Sequence, residues 1–580
     1  MTSTTILVEK HLGVPMHDGV ELVTDVYRPQ TEARLPTLVQ RLPYNKELPS
    51  LTNVGTNLLR MVEAGYAVVV QDTRGRYASP GTFNPFFDEA EDGADTVAWA
   101  ASQPWSNGRL GMIGGSYFGA TQWLAATQAP DALRAFAPFI TAADYHEGWA
   151  YQGGAFELGF NLNWTLTSLA LGELLRGQAE PGALGKLVSA IDRNAELYWR
   201  LPLTDLPELR GLAPYYFDWL AHPDYDEYWR RIAPRQAYER ITAPALNIGG
   251  WYDLFVGGTL ENYRGMRERG GSPAARRPGL IVGPWAHGNL SGFFPERNYG
   301  IRAGVDGFDL TGAQLRWFDY LLRDVDNGVA TEPPVQLFVM GDDIWRTEPD
   351  WPLPDTAYTR YYLHSGGRAN SRLGDGELST RPPASDQPED VYLYDPRSPV
   401  PTVGGATFLP GLQVGANGGP RDQAEVELRT DVLCYTTPPL EQPLEVIGPV
   451  ELVLFVASSA RDTDFTGKLV DVHPNGRAEI LTDGILRARY RDSLSQPSLL
   501  ESGQTYELLL DLWATANVFK RGHRVRLEVS SSNFPRFDRN TNTGGTIASD
   551  GPADLVQAVN RVFHDRSRAS HLLLSVIERR

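Results

Sequence analysis

The sequence predicts an α/β fold that is interrupted by a helical insertion and followed by a β-sandwich. Three observations predict it. Up to about residue 144, short apolar runs that read as buried strands alternate with helix-forming runs, which implies a mostly parallel sheet. From about 145 to 240 the strand signals stop and apolar residues recur at helical spacing. From about 350 onward the chain breaks into short runs of β-formers punctuated by turn residues. The expected division is an α/β unit in two parts, 1–144 and 241–350, with a helical cap at 145–240 between them and a β-sandwich at 351–580.

Each element follows from its residues. Pro36-Thr37-Leu38-Val39-Gln40 and Ala67-Val68-Val69-Val70 read as early buried strands. Met112-Ile113 is a third, and it runs into Gly114, Gly115 and Ser116, after which a helix-forming run over 120–126 begins at once. In the insertion, Leu174-Leu175 and the apolar residues of 187–191 fall at helical spacing, among many aromatics such as Trp149, Phe160, Trp164 and Trp219. Strand patterns resume at 245–250 and 279–283, and the sheet is expected to end near a helix over 314–322. Asp324-Val325-Asp326-Asn327-Gly328 has the look of a calcium loop, but its glycine comes one position early and the twelfth place lacks glutamate, so it reads as a turn. Beyond it, 391–394, 450–456 and the strictly alternating 523–529 are strands of the sandwich.

Composition excludes several classes of function. A chain of 580 residues needs more than one core. A net charge of −18 argues against nucleic acid, because nothing would offset phosphate repulsion. No apolar stretch is long enough to cross a bilayer. The start, Met1-Thr2-Ser3-Thr4-Thr5, lacks the charged and apolar regions of a signal peptide, so the expected address is the cytoplasm. The lone Cys434 rules out an internal disulfide and, with no other cysteine, suggests no metal site. The expected partner is a small molecule, with neither nucleic acid nor membrane, and the sequence leaves room for a homodimer.

The chemistry centres on Ser116. A serine on a tight strand-to-helix turn has strained backbone and an exposed hydroxyl, which is the nucleophile elbow of the α/β-hydrolase fold. The spacing here is Gly-x-Ser-Tyr-x-Gly, one residue longer than the common form. A nucleophile of this kind needs a base and an orienting acid, which follow it in the order Asp, His, each just beyond a buried strand. Asp253 follows the strand at 245–250, and His287 alone of the ten histidines stands in the required setting, after 279–283. The expected catalytic residues are Ser116, Asp253 and His287. The oxyanion needs at least two donors, and the backbone N–H of Tyr117, the residue after the nucleophile, is one.

Gly-x-Ser-Tyr-x-Gly, Gly250-Trp251-Tyr252-Asp253-Leu254-Phe255-Val256-Gly257 and Gly283-Pro284-Trp285-Ala286-His287 together resemble the bacterial cocaine esterase family, which groups with Xaa-Pro dipeptidyl peptidases and α-amino-acid ester hydrolases. Met16-His17-Asp18-Gly19 resembles the family's amino-terminal hairpin, and Asp72-Thr73-Arg74-Gly75-Arg76-Tyr77 its loop ahead of the nucleophile. Ser530-Ser531-Ser532-Asn533-Phe534-Pro535 resembles its carboxy-terminal domain, and the likeness spans nearly the whole chain. The resemblance implies a jelly roll for the sandwich, a serine carboxylesterase activity and no cofactor. It implies that the Tyr44 hydroxyl completes the oxyanion hole and that Trp149, Trp164, Phe255 and Phe408 line an aromatic acyl pocket. Where α-amino-acid ester hydrolases place carboxylates for the substrate ammonium, this chain has Phe255 and Val256, which favours an uncharged acyl group. Asp72 and Arg74 read as loop structure, an ion pair or a hydrogen-bonded turn. Two other readings stay open: an acylase or Xaa-Pro dipeptidyl peptidase on amide bonds, and a catalytically silent glycan-binding protein.

Overall fold

Ala67–Asp72 and Gly279–Ala286 are buried at every position, the pattern of strands covered on both faces of a parallel sheet. The computed structural model, which describes residues 5–177, 181–409 and 417–579, places them in one large sheet. Its strands are β1 (Ile6–Pro15), β2 (Glu21–Pro29), β3 (Leu35–Leu42), β4 (Ala67–Asp72), β5 (Ser106–Gly115), β6 (Leu133–Phe139), β7 (Leu246–Tyr252), β8 (Gly279–Ala286), β9 (Val335–Val339) and β10 (Ile344–Glu348). Among the described residues they lie in the order β1-β2-β4-β3-β5-β6-β7-β8-β9-β10. From β4 through β9 neighbours run parallel, while β1 and β2 at one edge and β10 at the other are antiparallel. Helices α1 (Glu89–Ser102), α2 (Tyr117–Thr127), α3 (Val256–Arg269) and α4 (Leu310–Arg323) cover the faces. In such a sheet, sites form beyond the carboxyl ends of the strands, and β5, β7 and β8 are followed there by Ser116, Asp253 and His287.

Two expectations need correction. The sheet does not end near α4. Val335-Gln336-Leu337-Phe338-Val339 pairs parallel to β8 as β9, and Ile344–Glu348 closes the edge as β10. The insertion is not free of strands either. Tyr151–Gln152 and Ala155–Phe156 form a short hairpin, because Gly153 and Gly154 both take positive φ and turn the chain in two residues. The other described residues of the insertion form short helices joined by turns, with Leu158–Trp164 running through a π-helical turn, Thr165–Ala170, into Leu171–Leu175.

Past residue 350 the described residues contain an eleven-stranded, largely antiparallel network. Its two layers meet face to face: a Cβ on Gly467, in Asp464–Val472, would press on Leu452 and Leu512 from strands of the other layer. The alternating buried leucines and valines of Leu444–Ser458, Tyr506–Phe519 and Arg524–Ser530 fill the space between. This β-sandwich packs on both the sheet and the cap, as when Arg487 N donates to Gly153 O at 2.8 Å.

Candidate active site

Ser116 is the residue between β5 and α2, and its backbone shows the expected strain, with φ 59° and ψ −125°. The turn closes because no side chain stands in its way. Gly114 takes φ +122°, and a Cβ there would fall 2.6 Å from Phe118 Cβ; one on Gly119 would fall 2.7 Å from Thr141 Cβ. The same tightness presents the serine hydroxyl to His287. Ser116 Oγ lies 3.0 Å from His287 Nε2, and His287 Nδ1 lies 2.7 Å from Oδ1 of the fully buried Asp253. Asp253 can only accept, so the consistent proton placement has Nδ1–H donating to it and Nε2 accepting from the serine. Asp253 comes just after β7 and His287 just after β8, so the parallel register brings together residues 34 positions apart.

Tyr117 opens α2, and the first N–H groups of a helix have no intrahelical partner. Its side chain is fixed from behind: Tyr117 OH donates to Glu89 Oε1 at 2.9 Å and accepts from Phe86 N at 2.9 Å. Glu89 in turn accepts from Arg41 Nη1 at 2.7 Å, so one buried cluster ties the end of β3 to the start of α2. Tyr44, in the loop after β3, accepts from Trp164 Nε1 at 2.8 Å. Burial pushes the Tyr44 phenol well above its ordinary pKa, so it stays a protonated donor. Lys46, two residues on, anchors the loop: its N–H donates to Asp72 Oδ1 at 2.8 Å, and its Nζ lies 2.8 Å from Asp25 Oδ1. Burial raises the Asp72 carboxyl to about 6. Asp72 and Arg74 are not paired with each other. Asp72 accepts from backbone N–H groups, while Arg74 reaches Asp18 and Asp92 instead.

Tyr44, Ser116 and His287 open on one cavity of about 810 Å³. Of the four aromatics expected to line an acyl pocket, Trp164 and Phe408 line this cavity. Trp149 and Phe255 do not; they stand behind the wall, stacked at 4.3 Å, with Phe255 edge-on to the His287 ring at 5.0 Å. The reason is the turn after Asp253, which sends Phe255 beneath the imidazole rather than into the open space. Sequence reasoning missed Phe160, which lines the cavity and stacks parallel to Trp164. Its spacing of four residues from Trp164 on one helix was the available signal. Asp306 is the one carboxylate among the described lining residues, and it is exposed at the rim.

A strained serine, an imidazole and a buried carboxylate in hydrogen-bonded sequence at the carboxyl edge of a parallel sheet define a serine hydrolase of the α/β-hydrolase fold. Residues 18–289 match the X-Pro dipeptidyl-peptidase (S15 family) domain, and residues 327–573 match the X-Pro dipeptidyl-peptidase C-terminal non-catalytic domain. The chain is 43% identical to a cocaine esterase from Rhodococcus sp. (strain MB1 Bresler), over 99% of each chain. It belongs to the cocaine esterase family. An aminopeptidase from a marine sediment Thaumarchaeota archaeon superposes with a TM-score of 0.81 at 26% identity, covering 99% of this chain and 97% of that one. An α-amino acid ester hydrolase does so with a TM-score of 0.79 at 27% identity, over the same shares.

Proposed function

We propose that the protein is a carboxylesterase that hydrolyses esters of uncharged, aromatic carboxylic acids through an acyl-enzyme on Ser116. The observation that carries this reading is the continuous Ser116–His287–Asp253 hydrogen-bond chain opening on a cavity walled by Phe160, Trp164 and Phe408. His287 Nε2 takes the hydroxyl proton as Ser116 Oγ attacks the ester carbonyl, and Asp253 holds the imidazole and stabilises its cationic form. The tetrahedral oxyanion is held by the Tyr117 N–H and the Tyr44 O–H. Collapse breaks the bond to the alkoxy group, which leaves as the alcohol with the proton from His287. Water then attacks the acyl-enzyme by the same route and releases the carboxylic acid.

The acyl preference follows from desolvation. An ammonium placed against Phe160, Trp164 and Phe408 would lose its hydration with no buried carboxylate to replace it, at a cost of several kcal/mol. Charge and the lone, buried Cys434 support a cytoplasmic small-molecule enzyme rather than a binder of polyanions. The test is a panel of benzoyl, phenylglycyl and p-nitrophenyl esters run against Xaa-Pro anilides. The proposal expects benzoyl esters to lead in kcat/KM. A preference for the amino-acyl esters or the anilides would overturn it.

A further inference from the structure

The β-sandwich carries a cluster of ligating side chains that the hydrolase chemistry does not use. Asp471 and His473 stand two residues apart at the end of Asp464–Val472, so alternation puts both on one face of the sheet. That strand pairs with Arg524–Ser530 in a register that sets Val472 opposite Arg524, which places His523 across from His473. On its other side, Asp471 is directly opposite Glu479. Three adjacent strands thus bring two imidazoles and two carboxylates to one patch. One ligand atom from each of Asp471, His473 and His523 lies within 4.8 Å of the others. The rings of His473 and His523 are 4.4 Å apart at 33°, and Asp471 Oδ1 is 2.8 Å from His523 Nδ1.

We propose that Asp471, His473 and His523 form a binding site for a divalent transition metal, zinc by preference, with Glu479 at its margin. Two imidazoles with a carboxylate are donors that suit zinc and are poor for magnesium or calcium, which take oxygen ligands. Zinc needs four ligands, and a water or the Glu479 carboxylate supplies the fourth. Glu479 Oε2 is 3.9 Å from His473 Nε2 but is shared with Arg477, whose Nη2 lies 2.9 Å away. An entry path exists, since the side chains of His473 and His523 are 26% and 14% exposed. A metal here would tie the edge hairpin to the strand that follows His523 and act as a staple within the sandwich.

The full chain, stripped with EDTA, is titrated with zinc chloride by calorimetry. The proposal predicts one bound equivalent, lost in the double variant His473→Ala/His523→Ala, with metal-free esterase turnover unchanged. Zinc should raise Tm in the unsubstituted protein by mass action and leave the double variant where it was. Glu479→Gln should weaken binding by up to about 10–100-fold without abolishing it. Should the double variant not fold, His473→Asn keeps a polar side chain at a partly exposed position and serves instead. No zinc bound by the unsubstituted protein overturns the proposal. So does zinc that survives the substitutions and blocks turnover, since it would then be sitting on His287.

Discussion

At Ser116 the backbone holds a conformation that a serine ordinarily avoids, and the strain is what aims its oxygen at His287. Tyr44 is the complementary case: among the described residues its hydrogen-bond partner, Trp164 Nε1, uses the oxygen and leaves the O–H proton to donate. Tyr44→Phe therefore removes one donor and almost no volume. Losing one oxyanion-hole donor lowers kcat by about 10²–10³-fold. The ground-state carbonyl gains far less from the bond, so KM should move little and Tm should hold. Steady-state kinetics with a melting curve checks this, and a fall in Tm with kcat unchanged would make Tyr44 a structural residue. The positions of Ser116, Asp253 and His287 were legible because each follows a buried strand, a local signal. That Phe255 and Trp149 stand behind the cavity wall was not legible, because the direction of a side chain depends on local backbone geometry, which the residue types do not encode.

Among elements, the helical segment over the site is held by a charge. Arg76 is fully buried and donates to Pro43 O at 3.0 Å, Leu169 O at 3.1 Å and Ser168 O at 3.2 Å. It joins the loop after β4 to the loop after β3 and to the π-helical turn Thr165–Ala170. Arg76→Leu would take this donor from the buried carbonyls of Pro43 and Leu169, at about 1–3 kcal/mol apiece if nothing replaces it. The expected result is a raised KM and faster proteolytic cleavage within 158–192, followed on a gel, while the sandwich stays protected. Unchanged cleavage would show that the cap stands without Arg76. The sequence sets Arg76 in a family-like loop but does not show its role, because two of its partners are backbone carbonyls about 90 residues away. The hairpin at Tyr151–Gln152 escaped for a different reason: two-residue strands are too short to show a period.

Across the whole molecule, the cap and the sandwich share a buried ionic junction. Arg536, from the sandwich, sits 2.7 Å from Asp483 and 3.6 Å from Glu157 of the cap. Burial pushes the Glu157 carboxyl up to about 7, against the pull of Arg536. A folded pKa above the unfolded one means that stability is fully present below about pH 4.5 and is lost as pH rises through 7. Glu157→Gln should match the unsubstituted protein in unfolding free energy near pH 4.5 and exceed it above pH 7, by on the order of 1–3 kcal/mol, read from denaturant melts at the two pH values. A variant less stable at pH 8 would mean that Glu157 is held ionised by Arg536. The order of architectures along the chain was legible from periodicity, whereas this junction was not, since 379 residues separate its members. The central claim is that Ser116 forms the acyl-enzyme, and the direct measurement is intact-mass and peptide mapping after reaction with a fluorophosphonate. One adduct per chain, on Ser116, with none on Ser116→Ala and no turnover by that variant, is the predicted result. An adduct elsewhere, or a folded Ser116→Ala protein that still cleaves benzoyl esters, would contradict it.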